Sequence, residues 1–441
     1  MSTSTLDTTL RIALQNVGCK LNSYEVEALT NGFDNRGYEI VPFGSEADVY
    51  VVNTCTVTGS GDADSRKAVR RAKRQNPAAT VVATGCYAQR RPQELGAAGA
   101  DLLIGNGEKS SLIDQLEAHL SGNALAPLPS AERPRTEQFL AIEGTVAQGR
   151  TRGMLQIQDG CDEHCTYCII PSVRGYSASR SAGDIIAQAR SMVESGYREL
   201  ALTGVHTGSY GYDQDNRQAL VALLRELVKI DGLDRIRLNS IEPGYIDDAL
   251  IDFAASSSVF CRHFHVPLQS GDDQILKRMG RQYNRAYYAE RIERIAALIP
   301  DCAIGTDVMV GFPGETDECF SRTKALVSDL PLTYLHVFPY SLRDGTPAQK
   351  LSDHPEQATK KLRARELINL GEEKRLTFHQ RFVGQRLSVL CEGRQDPATG
   401  LQIGLTDNYI KTLFTGSAAR NQIIEVQVEQ AREALIFGVR I

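Results

Sequence analysis

Residues 153–170 read GMLQIQDGCDEHCTYCII. The first half is a short apolar run with the look of a buried strand, and Cys161, Cys165 and Cys168 follow it at once. C-x-x-x-C-x-x-C spacing brings three sulfurs around one centre within a single loop. Two chemistries suit that spacing. Zinc, with His164 as a fourth ligand, would close a tetrahedral site. An iron–sulfur cubane held by three thiolates would leave one iron open for a small ligand.

Working outward, this strand is the first of six. ELALTGV, RIRLNSIEP, HFHVPLQ, CAIGTDVMVGF and YLHVFPYS repeat the apolar, β-branched pattern. Helical stretches such as AGDIIAQARSMVESG, QALVALLRELVKI and RAYYAERIERIAALIP fill the gaps. Six βα units over 147–375 predict a parallel, partial (β/α)6 barrel, with function at the C-terminal ends of its strands. His263 and His265 alternate along one strand and are expected on opposite sides, His265 toward the barrel mouth.

The segment 9–125 has its own strand–helix alternation, which implies a parallel-sheet α/β domain with helices on both faces. RIALQNVGC, VYVVNTC and TVVATGC place Cys19, Cys55 and Cys86 each just past a predicted strand. Parallel strands end at one sheet edge, where ligands bind. A lone cysteine after a strand is usually a small buried residue; three in the same position argue for ligation. No histidine lies near them in sequence, so zinc leaves this trio unexplained, whereas iron–sulfur chemistry accounts for both groups. Asn22 and Glu25 fit a capping box for the helix over 22–37. Cys261, Cys302, Cys319 and Cys391 share no spacing and read as structural.

A Pro- and Ala-rich linker is expected at 126–146, and a small antiparallel β-barrel of the OB-like class at 376–441. The fold class is thus α/β with a terminal β-barrel. Composition is that of a globular protein, 42% hydrophobic and 23% charged, with a net charge of −5. The sequence shows neither a signal peptide nor an apolar run long enough for a membrane span, so a cytoplasmic chain without a membrane partner is expected. Ten cysteines in that setting argue for metal or redox chemistry rather than a disulfide framework. Positive charge is local. Arg66, Lys67, Arg70, Arg71 and Arg74 cluster after Cys55, and a second basic stretch runs from Lys360 to Arg386. Such clusters on an otherwise acidic chain fit a phosphate-rich partner docking at one face.

Cys161-x-x-x-Cys165-x-Tyr167-Cys168 after the first barrel strand resembles the radical S-adenosylmethionine signature. The whole chain resembles the methylthiotransferase family within that superfamily, in NVGCKLNSYEVE, VNTCTVT, CTYCIIPSVRG, LTGVHTG, HVPLQSGDDQILKRMGRQY, TDVMVGFPGET and HVFPYSLRDGTPA. The resemblance implies two [4Fe–4S] clusters, an auxiliary one on Cys19, Cys55 and Cys86 and a radical one on Cys161, Cys165 and Cys168. It also implies S-adenosylmethionine, one molecule supplying a methyl group and a second the 5′-deoxyadenosyl radical. Thr203, Gly204, Ser240 and Glu242 are its candidate contacts, with the loop 309–315 near the adenine. The tail resembles the TRAM domain, an RNA-binding module.

Family branches modify isopentenyladenosine in tRNA, an aspartate of a ribosomal protein, or threonylcarbamoyladenosine at tRNA position 37. Lys20 after Cys19, with GCKLNSYE and NTCTVTGSGDADSRKAVRRA, resembles the third branch, whose product is the 2-methylthio derivative. The implied partners are a tRNA anticodon stem-loop, met by the basic helix with Tyr87 or Tyr167 stacking on the base, and an electron donor of the flavodoxin or ferredoxin type. A monomer is expected. Two rivals remain at this point: a radical enzyme inserting sulfur into a small acyl substrate, and a non-enzymatic zinc protein that binds RNA.

Overall fold

The computed structural model describes residues 9–123, 128–130, 132–142 and 151–441. Parts of the expected linker (126–127, 131 and 143–146), and residues 147–150 of the expected barrel segment, lie outside the described residues. The chain divides into two units. The first comprises 1–148, 159–163 and 168–180, and the second 149–158, 164–167 and 181–441.

In the first unit β1 (Arg11–Asn16), β2 (Glu39–Val41), β3 (Val49–Thr54), β4 (Thr80–Gly85) and β5 (Leu102–Ile104) form one sheet in the order β2-β1-β3-β4-β5. Every pairing is parallel. The chain therefore leaves β1 for one edge and returns to its other side as β3, which puts the topological switch between β1 and β3. All six residues of β3, VYVVNT, are buried, as a central strand covered on both faces requires. Tyr50 and Val52 pack with Val69 and Ala72 of α2 (Gly59–Gln75) and with Leu95. Val49 and Val51 face the other way, onto Leu29 and Phe33 of α1 (Lys20–Asn35) and Leu112 and Leu116.

Helix α1 starts one turn earlier than its capping-box pattern predicts. Cys19 is the N-cap, and Asn22 and Glu25 lie inside the helix, 0% and 3% exposed. Their side chains serve tertiary contacts instead. The described part of the expected linker is likewise packed: Leu140 O accepts from Tyr24 Oη at 2.6 Å, and Ser130 O from Gln89 at 2.7 Å.

In the second unit β6 (Arg152–Gln156), β7 (Glu199–Thr203) and β8 (Arg235–Leu238) make one parallel sheet. β9 (His263–His265), β10 (Ala303–Val310) and β11 (Tyr334–Pro339) make another. A parallel bridge between Ile236 and Phe260 joins them, so the strands run in chain order from β6 to β11 as a partial barrel. Five of the six strands fall within the stretches expected from sequence, and β6 begins one residue before its own, at Arg152. His263 and His265, however, face the same side, each with its ring about 6.0 Å from that of Tyr334. Residues two apart on a strand share a face.

The tail strands β12 (Arg386–Gln395), β13 (Gln402–Thr406), β14 (Lys411–Thr415), β15 (Ile423–Ala431) and β16 (Ile436–Arg440) close a barrel in the order β12-β13-β14-β16-β15. It is not wholly antiparallel: β14 and β16 run parallel.

Candidate functional site

The switch point brings the first trio together. Cys19 opens α1 after β1, Cys55 follows β3 directly, and Cys86 opens α3 (Cys86–Arg90) after β4. These strands are neighbours in the sheet. Cys55 and Cys86 are 6% and 3% exposed, and Cys19 is exposed. Burial pushes the Cys55 thiol up to about 11, and the Cys86 and Cys19 sulfurs push the same way. Gly18 leaves room for this convergence. Its φ is +101°, and a Cβ there would stand 2.7 Å from Cys55 Sγ. Among the described residues no cysteine is in a disulfide. Three soft sulfur donors just past three adjacent strand ends fit a metal cluster held by thiolates.

A buried charge network adjoins the trio. Arg174, 2% exposed, ends α4 (Ile170–Arg174). Its guanidinium meets Glu25 at 2.7 Å and Asp159 at 3.2 Å, and Lys109 meets Glu25 at 2.8 Å. Burial alone would raise Glu25, but Arg174 and Lys109 outweigh it and hold the carboxyl at about 2. Burial raises Asp159 against the pull of Arg174. Arg174 Nε donates to Cys86 Sγ at 3.3 Å, and Nη2 donates to Asn22 Oδ1 at 2.6 Å. None of this is visible in periodicity; the available signal was a charged side chain closing the short apolar stretch IIPSVR, six residues past Cys168.

Of the second group, Cys161 and Cys168 belong to the first unit and Cys165 to the second. Arg133, from the expected linker, donates to Cys161 O at 2.8 Å and to Asp162 at 2.6 Å. In the second unit Thr166 is tied at N to Met279 O and at Oγ1 to Arg278 O, both at 2.9 Å. The cysteine loop is thus held by backbone and side-chain bonds on either side of Cys165. His164, the fourth ligand of the zinc reading, is exposed.

The candidate cofactor contacts sit at strand ends in the second unit. Thr203 ends β7 and is 1% exposed. Beside it, a Cβ on Gly204 would lie 2.9 Å from Gln158 Oε1, itself bonded to His206 N. Ser240 Oγ lies 2.8 Å from His265 Nδ1. Glu242 accepts from Arg281 Nη1 at 2.7 Å, while Arg281 Nη2 donates to Tyr167 Oη at 2.6 Å. Arg281, absent from the sequence-based candidates, joins Glu242 to the tyrosine between two motif cysteines. In the loop 309–315, Glu315 accepts from Gly311 N.

The basic residues divide. Lys67, Arg70, Arg71 and Arg74 are exposed on α2, and Arg71 also covers the Phe43 ring. Arg66 is engaged with Tyr87 and Glu94. Tyr87 is 1% exposed and gives its hydroxyl to Glu94, so it does not offer a face for base stacking. In the second stretch Lys360 and Arg363 are 5% exposed, and Arg363 is ion-paired with Asp317 at 2.6 Å. That part of the stretch is structural.

Two family profiles match the chain, the radical SAM superfamily over residues 155–327 and the uncharacterized protein family UPF0004 over 11–105. The threonylcarbamoyladenosine tRNA methylthiotransferase MtaB of Bacillus subtilis (strain 168) is 37% identical over 95% of this chain and 94% of its own length. The protein of the same name from Aquifex aeolicus (strain VF5) is 38% identical over 95% of this chain and 100% of its own. The solved radical S-adenosylmethionine methyltransferase TsrM of Kitasatospora setae, 16% identical, aligns with a TM-score of 0.59 over 88% of this chain and 80% of that one, a likeness of fold. With relatives this similar along nearly its whole length, the chain belongs to the radical S-adenosylmethionine tRNA methylthiotransferase family.

Proposed function

We propose that the chain converts N6-threonylcarbamoyladenosine at tRNA position 37 to its 2-methylthio derivative. Cys19, Cys55 and Cys86 would hold the auxiliary [4Fe–4S] cluster, and Cys161, Cys165 and Cys168 the radical one. One observation carries the reading: three cysteines converge past three adjacent strands, in a chain whose relatives at 37% and 38% identity are tRNA methylthiotransferases. The target C2 of adenine carries hydrogen and no leaving group, so acid–base or nucleophilic catalysis has little purchase there. The family uses S-adenosylmethionine and [4Fe–4S] clusters, which when bound supply the methyl group, the low-potential electron and the hydrogen-abstracting radical.

The chain's own residues supply the rest. Thr203, Gly204, Ser240 and Glu242, the last fixed by Arg281, offer polar groups at strand ends for the cofactor. Exposed Lys67, Arg70, Arg71 and Arg74 offer cations for the backbone of an anticodon stem-loop. Tyr167 remains the aromatic candidate for a base turned out of the loop. The electron donor is of the flavodoxin or ferredoxin type. Among the described residues no helix is long and apolar enough to cross a membrane. A cytoplasmic monomer completes the proposal.

The test is mass spectrometry of tRNA nucleosides from a strain lacking this gene, with and without the chain restored. Restoration should return the 2-methylthio derivative of threonylcarbamoyladenosine. Return of only the isopentenyl derivative, or of neither, would reject the substrate assignment. A purified Cys19→Ala protein should still cleave S-adenosylmethionine yet yield no methylthio product; product at the wild-type rate would remove Cys19 from its role.

A further inference from the structure

We propose that Arg174 is a positioning residue of the auxiliary centre, setting the orientation of Cys86. The inference rests on the reading that Cys19, Cys55 and Cys86 hold a cluster.

The bland alternative is an ordinary buried ion pair, and the geometry goes further than that. An arginine carries five N–H groups in a rigid fork. Here the two Nη atoms serve Glu25, Asp159 and Asn22. The remaining donor, Nε, points at Cys86 Sγ from 3.3 Å. The carboxylates fix the fork from one side, so the Nε–H direction is set by the network and not by the sulfur. Asn22 Oδ1 takes the Nη2 proton at 2.6 Å, and its amide group is anchored on Val17 O and Thr54 O, so this arm of the fork is also fixed away from the sulfur. Asn106 adds a second donor to Cys86 Sγ at 3.7 Å. Cys86 also packs with Ile169 and Val173 of the segment that follows Cys168. The residues leading on from the radical motif thus carry both the packing and the hydrogen bond that hold Cys86.

A fixed N–H···S bond counts for more as negative charge builds on the sulfur. Hydrogen bonds to ligand sulfurs are among the factors that set the potential of iron–sulfur clusters, and outer partners of a ligand fix its orientation. Arg174 therefore favours the reduced state of a cluster at this trio. Losing the bond shifts the midpoint to more negative potential, with no change expected at the radical site's own ligands.

The experiment uses the full chain with Cys161, Cys165 and Cys168 all changed to Ala, so that any cluster sits at the trio. Iron per chain and an EPR-monitored potentiometric titration are measured without tRNA, before and after adding Arg174→Lys. The expected result is a folded variant with a more negative midpoint and an altered EPR line shape, or with lowered iron content. Should Arg174→Lys fail to fold, the charge-balanced Arg174→Gln with Glu25→Gln leaves Lys109 facing Asp159 and is read the same way. Full iron with an unchanged midpoint and spectrum in the folded variant overturns the role of Arg174. Absence of iron in the triple-Ala parent overturns the cluster reading itself, which separates the two failures.

Discussion

Glu25 shows how strongly one buried residue can be constrained. It is 3% exposed and faces two cations, and its carboxyl is held at about 2 against an ordinary 4.5. A depressed carboxylate contributes stability that is present above its unfolded value and lost as pH falls through the folded one. The difference corresponds to roughly 3 kcal/mol at neutral pH. Replacing Glu25 by Gln also leaves Lys109 without its ion-pair partner and Arg174 with Asp159 as its one carboxylate, and breaking such a buried pair costs about 3–5 kcal/mol. Urea unfolding of the metal-free protein followed by circular dichroism should therefore show Glu25→Gln well below wild type at pH 7. The gap should close as pH drops from about 5 toward 2. A gap that stays constant over that range would mean that Glu25 does not titrate as described. At Gly18 the constraint is steric. Ala would have to adopt φ +101° with its Cβ 2.7 Å from Cys55 Sγ. Gly18→Ala should keep the fold of the second unit but reduce the iron bound by the triple-Ala chain, measured per chain after anaerobic reconstitution.

The same comparison of exposed and engaged groups decides what helix α2 can do. Arg70, Arg71 and Arg74 present cations to solvent, whereas Arg66 is committed to Tyr87 and Glu94. Changing the three exposed arginines to Glu should weaken binding of an anticodon stem-loop by on the order of tenfold or more at ~0.1 M salt and flatten its salt dependence, as loss of phosphate contacts does. Arg66→Ala should leave the salt slope unchanged. Equal slopes for the triple variant and wild type would return α2 to an ordinary solvated face. Element identity was legible because runs such as VYVVNT and ELALT are buried on both faces, and burial on both faces writes itself as continuous apolar sequence. The trio was legible for the same reason, since each cysteine follows such a run. What sequence could not carry was the pairing of charges distant along the chain. Glu25 and Arg174 lie 149 residues apart, so Glu25 read as a capping residue. Lys360 and Arg363 read as a basic face because nothing local reveals that Arg363 meets Asp317. Tyr87 read as an exposed aromatic because its partners, Arg66 and Glu94, lie on other helices.

At the scale of the whole molecule, the terminal barrel is held to the strands of the second unit by a clamp that is also electrostatic. Glu199 opens β7 with no exposed surface, and Arg237 on β8 pairs with it at 2.8 Å. The same guanidinium donates at 3.1 Å to the O of Thr406, the last residue of β13, and at 2.9 Å to Asp407 O just past it. Arg235, two residues earlier and so on the same face, reaches Leu405 O at 3.0 Å and Ser388 O at 2.8 Å. Buried backbone carbonyls need partners, and here two arginines supply them from the neighbouring domain. Arg237→Met removes three of these bonds and leaves Glu199 buried with only Arg235 at 3.7 Å. Hydrogen bonds to charged groups are worth about 1.5–3 kcal/mol each, so the junction loses several kcal/mol in local stability. Limited trypsinolysis reads that loss, because Arg381, just past α5 (Gln357–Gln380), and Arg386, at the start of β12, are exposed. The variant should release a C-terminal fragment several-fold faster than wild type. Its fold by circular dichroism should persist, and S-adenosylmethionine cleavage should survive while stem-loop binding weakens. Wild-type digestion kinetics would mean that the apolar contacts of Ala303 with Phe378, Leu387 and Ile410 hold the terminal barrel without the arginines.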